Sequence, residues 1–188
     1  MRMTAKTVTL KNGITATLRA PRPEEAAEML AYLQAVATET HFLLRYPEEC
    51  SDPTDPAEIE DQARHMAAAL DNPYSLSILC EIDGKIAGQC SVSFNRRFKI
   101  AHRATIAITS LSHYWGIGLG TAMFAAMEEA ARAKGITQLE LGFMEGNTRA
   151  RALYEKMGFR ITGMRPDAIR LKDGTLLNEY TMVRKIRR

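Results

Sequence analysis

Apolar and polar positions alternate with a strand-like period at both ends of the chain and with a helical period in four stretches between them. Residues 7–19 (TVTLKNGITATLR) carry β-rich runs on either side of Asn12-Gly13, a pair that tolerates positive φ. They predict a strand pair or one bent strand, closed by Pro21 and Pro23. From Glu24 to Ala37 the apolar residues Ala26, Met29, Leu30, Leu33, Val36 and Ala37 recur at three- and four-residue spacing, one face of a helix. Three prolines (Pro47, Pro53, Pro56) mark residues 47–56 as a loop. Asp55 or Pro56 then opens a second helix to about Leu70, with acids in its first turns, and Asn72-Pro73 ends it.

The runs 75–82 (SLSILCEI) and 85–94 (KIAGQCSVSF) flank Asp83-Gly84 and predict a hairpin. Residues 104–111 (ATIAITSL) form a further strand. A glycine-rich turn at 116–120 leads into a helix running to about Lys134, with Gly135 as its C-terminal cap. A strand over 136–143, a short helix from Asn147 to Met157 and a hairpin over Phe159–Leu171 and Thr175–Ile186 complete the pattern. Strand–helix–strand units in the second half require at least one parallel pairing, whereas the hairpins are antiparallel. The expected architecture is α/β (α+β): a mixed central sheet of about seven strands flanked by four helices, as a single domain over 1–188.

Composition removes several classes of function. Of 188 residues, 46% are hydrophobic and 25% charged, ordinary globular values that exclude a disordered or collagen-like chain. The net charge of +3 owes its sign to the end of the chain, where Arg184, Lys185, Arg187 and Arg188 fall in 184–188. The other 21 basic residues are outnumbered by 22 acidic ones. A nucleic-acid face needs its basic residues on the fold itself, so the basic end reads as a solvated terminus and no nucleic-acid partner is expected. Cys50, Cys80 and Cys90 are odd in number and include no CxxC pair, which fits neither a disulfide framework nor a metal knuckle. No stretch approaches the ~20 apolar residues of a membrane span. The expectation is a cytoplasmic protein with no metal and no membrane partner.

Two segments carry chemistry. In 109–123 (TSLSHYWGIGLGTAM) a strand runs into Gly116-Ile117-Gly118-Leu119-Gly120 and directly into a helix. Glycines there permit a sharp turn that exposes several N–H groups, and with the positive end of the helix they suit a phosphate. The ordinary alternative is a turn that needs glycine for packing. G-x-G-x-G this late in the chain, after an all-β hairpin, departs from the dinucleotide fingerprint, and no GxxxxGK[ST] occurs. In the second segment, Asn147 to Phe159, Asn147 is a helix cap and Ala150 and Tyr154 follow on its face. A phenol two turns along from a capping amide is either a core tyrosine or a general acid aimed into a cleft.

Together these segments resemble the GNAT superfamily of acyl-CoA-dependent N-acetyltransferases. Residues 115–120 (WGIGLG) resemble its Q/R-x-x-G-x-G/A pyrophosphate loop, with Trp115 in place of Gln or Arg. Residues 147–159 match every fixed position of its N-x-x-A-x-x-L-Y-x-K-x-G-F signature, and the resemblance spans about residues 14–185. It implies a GNAT-like fold and direct acetyl transfer from acetyl-CoA, as co-substrate, to an amine. Acetyl-CoA would lie in a V-shaped gap between the 104–111 and 136–143 strands. Ser110, Leu111 and Ser112 would pair with the pantetheine arm, and a backbone N–H near Leu111 would hold the oxyanion. Gly116, Ile117, Gly118, Leu119, Gly120 and Thr121 would form the diphosphate loop. Asn147 and Ala150 would line the cofactor, and Tyr154 would protonate the departing thiolate. A homodimer through the C-terminal strands is a further implication.

The general base stays open. Relatives often carry Glu where this chain has Thr105, which is no base at neutral pH. Glu39 is the leading candidate, with Glu145, His41, His113 and a water relay as alternatives. The acceptor, a small amine or a protein amine, also stays open. So does a different class of function, a non-catalytic acyl-CoA sensor, which the absent Glu permits and Tyr154 opposes.

Overall fold

A computed structural model describes residues 1 and 3–186. Arg187 and Arg188, half of the basic end, lie outside the described residues. In chain order the elements are β1 (Lys6–Thr9), β2 (Thr15–Arg19), α1 (Ala26–Glu39), α2 (Pro56–Asp71), β3 (Ser75–Ile82) and β4 (Lys85–Phe94). They continue with β5 (Arg103–Ser110), α3 (Leu119–Ala133), β6 (Gln138–Met144), α4 (Thr148–Lys156), β7 (Arg160–Arg170) and β8 (Leu176–Lys185).

The strands form one sheet of eight in the order β1-β2-β3-β4-β5-β6-β8-β7. The eighth strand arises because Asn12-Gly13 is a true reversal. Gly13 takes φ 83, Leu10 N–H donates to Ile14 O (2.8 Å), and the 7–19 segment becomes two paired strands rather than one bent strand. Asp83-Gly84 turns the second hairpin with both residues at positive φ (50 and 75), a two-residue loop matched to strand twist. Every pairing is antiparallel except β5 with β6.

Helices cover both faces. α3 packs on β2–β5, burying Leu119, Met123, Phe124 and Met127. α4 joins it through Leu153, which lies so close to Gly120 that a Cβ there would sit 2.8 Å from Leu153 Cδ2. Gly120 is therefore a packing glycine. α1 and α2 cover the opposite face around Met29, Tyr32, Met66 and Leu79. α1 extends two residues beyond the periodic stretch, to Glu39. Asp55 caps α2 by accepting from Ala57 N–H (2.8 Å) ahead of Pro56. Among the described residues, no helix is long and apolar enough to cross a membrane.

Candidate active site

The parallel β5–β6 ladder lasts only three pairs, ending at Thr105 with Glu140. Beyond it the strands part, and the rest of β5 keeps β4 on one side and, among the described residues, has no strand on the other. Leu111 N–H donates to Ala87 O (3.2 Å), and the β4 register pairs Ser110 with Gly88. Strand alternation then turns the backbone of Thr105, Ala107, Thr109 and Leu111 toward β4, and that of Ile106, Ile108 and Ser110 toward the gap. The N–H of Leu111 itself is bonded inside the sheet, and the nearby gap-facing amides are at Ile108 and Ser110. Ser112 N–H donates to Glu39 Oε2 (2.7 Å), and Ser110 O accepts from Trp115 Nε1 (3.2 Å). Tyr32, buried on α1, fixes the end of the freed strand through its hydroxyl bond to Thr109 Oγ1 (2.9 Å).

The glycine loop sits at the mouth of the gap. Gly116 (φ 81) and Gly118 (φ 96) both take left-handed backbone, and Gly118 is the residue from which α3 starts. That conformation costs an L side chain roughly 1 kcal/mol or more. Ile117, Leu119 and Thr121 lie in the same turn; Leu119 anchors it in the core. The N-terminal hairpin packs beside this loop: Lys11 N–H donates to Ile117 O (3.0 Å).

On the far side of the gap, Asn147 caps α4, its Oδ1 accepting from Ala150 N–H (3.2 Å). Tyr154 follows two turns on, buried among Phe124, Phe143 and Phe159 with ring centroids 5.9, 6.1 and 6.4 Å away. Its hydroxyl has no protein partner among the described residues. Burial pushes its pKa up to about 12.

A strap formed by the α1–α2 connection crosses this end of the sheet. Glu39 ties its start to Ser112. Phe42 covers Gly146, where a Cβ would lie 3.6 Å from Phe42 Cε1. The Tyr46 hydroxyl accepts from Lys172 N–H (2.9 Å), and Lys172 pairs with Glu48. A cavity of about 210 Å³ lies between strap residues His41, Leu43, Leu44 and Tyr46 and the end of β7 at Ala168–Leu171. Of the other base candidates, His41 lines this cavity, Glu145 Oε2 accepts from Asn178 N–H (3.1 Å), and His113 is exposed against Tyr114; Thr105, where relatives often carry Glu, is exposed where the ladder ends.

The sheet thus opens beside a glycine-lined helix N-terminus, and a buried phenol follows on α4. The family model for the GNAT acetyltransferases matches residues 35–159. The chain belongs to the GNAT family of acetyltransferases. It is 32% identical over 96 residues to a candidate ribosomal protein bS18-alanine N-acetyltransferase of Bacillus subtilis (strain 168), covering 51% of this chain and 61% of that one. It is 25% identical over 113 residues to an L-methionine sulfoximine/L-methionine sulfone acetyltransferase of Pseudomonas paraeruginosa, covering 59% and 65%. The chain therefore spans less than two thirds of the curated relatives it matches. A GNAT-family acetyltransferase from Streptococcus pneumoniae superposes with a TM-score of 0.80 at 26% identity, over 91% of this chain and 99% of that one.

Proposed function

We propose that this chain is an acetyl-CoA-dependent N-acetyltransferase that moves acetyl directly to a primary amine. The observation that carries the reading is the three-pair β5–β6 ladder, which leaves gap-facing backbone on β5 just ahead of the glycine loop. Acetyl-CoA supplies the thioester as co-substrate. The loop amides over Gly116–Thr121 fit its diphosphate, and Asn147 retains its Nδ2 donors. Ile108 offers strand-like pairing to the pantetheine amides. Ser110 N–H fits the carbonyl oxygen, where negative charge grows as the amine nitrogen bonds to carbon. As the C–S bond breaks, the electron pair goes to sulfur, and Tyr154 donates its proton there. Glu39, whose Oε1 has no partner among the described residues, takes the proton the amine must lose.

The acceptor fits beside the strap, in the cavity between Tyr46 and Ala168–Leu171. Two finer expectations belong to the same proposal. β7 is an edge strand with Ile161 and Met164 exposed, which suits pairing with a second copy. The three free thiols suit a cytoplasmic setting.

Calorimetric titration with acetyl-CoA and CoA, coupled to turnover on an amine panel, tests the reading. Wild type and Tyr154→Phe bind alike, while Tyr154→Phe loses about 10²–10⁴ in turnover. Gly118→Glu forces a carboxylate side chain onto left-handed backbone at the phosphate loop and abolishes binding. Absence of binding by wild type overturns the proposal. Binding without turnover across the panel supports the sensor instead.

A further inference from the structure

Two cations outside the glycine loop stand where electrostatics of the free protein disfavours them. Lys11 belongs to the turn of the N-terminal hairpin, and its stem lies along the loop: a Cβ on Gly118 would sit 3.1 Å from Lys11 Cγ. Gly118 is the N-cap of α3, so Lys11 flanks the positive end of that helix. Arg149 is the second residue of α4, again at a positive helix end, where an acid is the favoured residue. Its guanidinium carbon lies 4.1 Å from the centroid of the Trp115 ring. Trp115 directly precedes Gly116, and its bond to Ser110 O fixes the ring that supports Arg149.

Neither cation has an acidic partner among the described residues. Other arginines on helices do: Arg151 pairs with Glu155 (2.8 Å), and Arg64 pairs with Glu60 (3.1 Å) and Asp61 (2.8 Å). Two cations without an ion-pair partner among the described residues thus flank two helix N-termini and a run of loop amides. A bound polyanion removes the conflict, and an arginine held flat on an aromatic ring presents its N–H edge to phosphate oxygens.

We propose that Lys11 and the Trp115–Arg149 stack form a clamp on the phosphates of coenzyme A, making the chain selective for the complete nucleotide carrier over unphosphorylated pantetheine thioesters. The inference rests on the acetyl-CoA reading above and extends it to residues beyond the glycine loop. Trp115 takes the place of the Gln or Arg of the resembled motif, and Arg149 supplies the cation there from the neighbouring helix.

Trp115 is the chain's single tryptophan, so its emission reports binding at this site alone. The probes are CoA, 3′-dephospho-CoA and pantetheine, titrated into full-length wild type, Lys11→Met, Arg149→Met and the double variant. Met keeps an unbranched apolar stem at both positions while removing the charge. Each single variant weakens CoA binding about tenfold and the double variant about a hundredfold, because each loses charge-assisted bonds to phosphate. Pantetheine affinity stays unchanged in all four proteins. The loss with 3′-dephospho-CoA separates contacts to the 3′-phosphate from contacts to the diphosphate. Raising salt from 50 to 500 mM weakens wild type more than the double variant. Two outcomes overturn the clamp while sparing the acetyl-CoA reading: variants that bind CoA as wild type does, and variants that lose pantetheine and CoA equally. Failure of wild type to bind CoA overturns the acetyl-CoA reading itself.

Discussion

In the proposed mechanism, Glu39 joins a structural and a chemical role in one side chain. One carboxylate oxygen holds Ser112 N–H, joining the end of α1 to the segment after β5, and the other is free to take a proton. Glu39→Gln separates the roles, because an amide oxygen still accepts from Ser112 but has no basicity at working pH. Affinity for acetyl-CoA and thermal midpoint are expected to stay near wild type, while turnover falls about 10²-fold or more and the acid limb of the pH–rate profile shifts. Unchanged turnover makes Glu39 a tie and moves the proton path to water. Tyr154 is likewise both a core residue and the proposed acid. With its pKa raised to about 12 by burial, it stays protonated throughout the working range, and as the proposed acid it limits the rate only in strongly alkaline solution. Gly118 and Gly120 look alike in the sequence but differ in purpose, one set by φ and the other by the closeness of Leu153.

Between elements, the same question is which contacts local pattern can announce. Asn12-Gly13, Asp83-Gly84 and the Asn147–Phe159 signature were legible because turn chemistry and helix caps act within a few residues. The strap was not: Glu39 meets Ser112 across 73 residues and Tyr46 meets Lys172 across 126, and nothing near either member points to the other. The direction of the Leu111 amide depends on β4–β5 register, which periodicity leaves open by one residue. The Arg19 hub was equally hidden. Its buried guanidinium binds Glu25 (2.7 Å) and Glu81 (2.7 Å), fastening β2 to β3 and to the start of α1. Burial pushes the Glu25 carboxyl up, but its bonds from Arg19 and the Arg22 N–H outweigh that and hold it below the usual range. Arg19→Met leaves two carboxylates around an apolar side chain and is expected to cost about 3–5 kcal/mol in urea denaturation. Adding Glu25→Gln and Glu81→Gln recovers part of that loss, and a single variant within 1 kcal/mol of wild type refutes the hub.

At the scale of the whole molecule, the burial that keeps Tyr154 protonated has an alkaline consequence. Cys80 and Cys90 lie inside the sheet core, and Tyr32 and Tyr154 are buried on its two faces. Burial raises all four: Cys80 from 9.0 to about 12, Tyr154 from 10.0 to about 12, and Cys90 and Tyr32 in the same direction. Cys80 and Cys90 each add a coulombic push on Tyr32, so one ionisation opposes the next. In each case the folded pKa lies above the unfolded one, so the folded state holds the proton more tightly. The stabilisation is complete below about pH 9 and is lost as pH climbs toward 12. At ~1.4 kcal/mol per unit, Cys80 contributes about 4 and Tyr154 about 3 kcal/mol, together a large share of a typical domain's stability. Urea midpoints measured from pH 7.5 to 11 should therefore hold nearly level to pH 9 and then fall steeply. Tyr154→Phe and Cys80→Ala each flatten the fall, since each removes one titrating group, and a wild-type midpoint that stays level to pH 11 would mean these groups reach water in the folded protein. The level region is also the range in which Tyr154, the proposed proton donor, keeps its proton, because one packed core sets both limits.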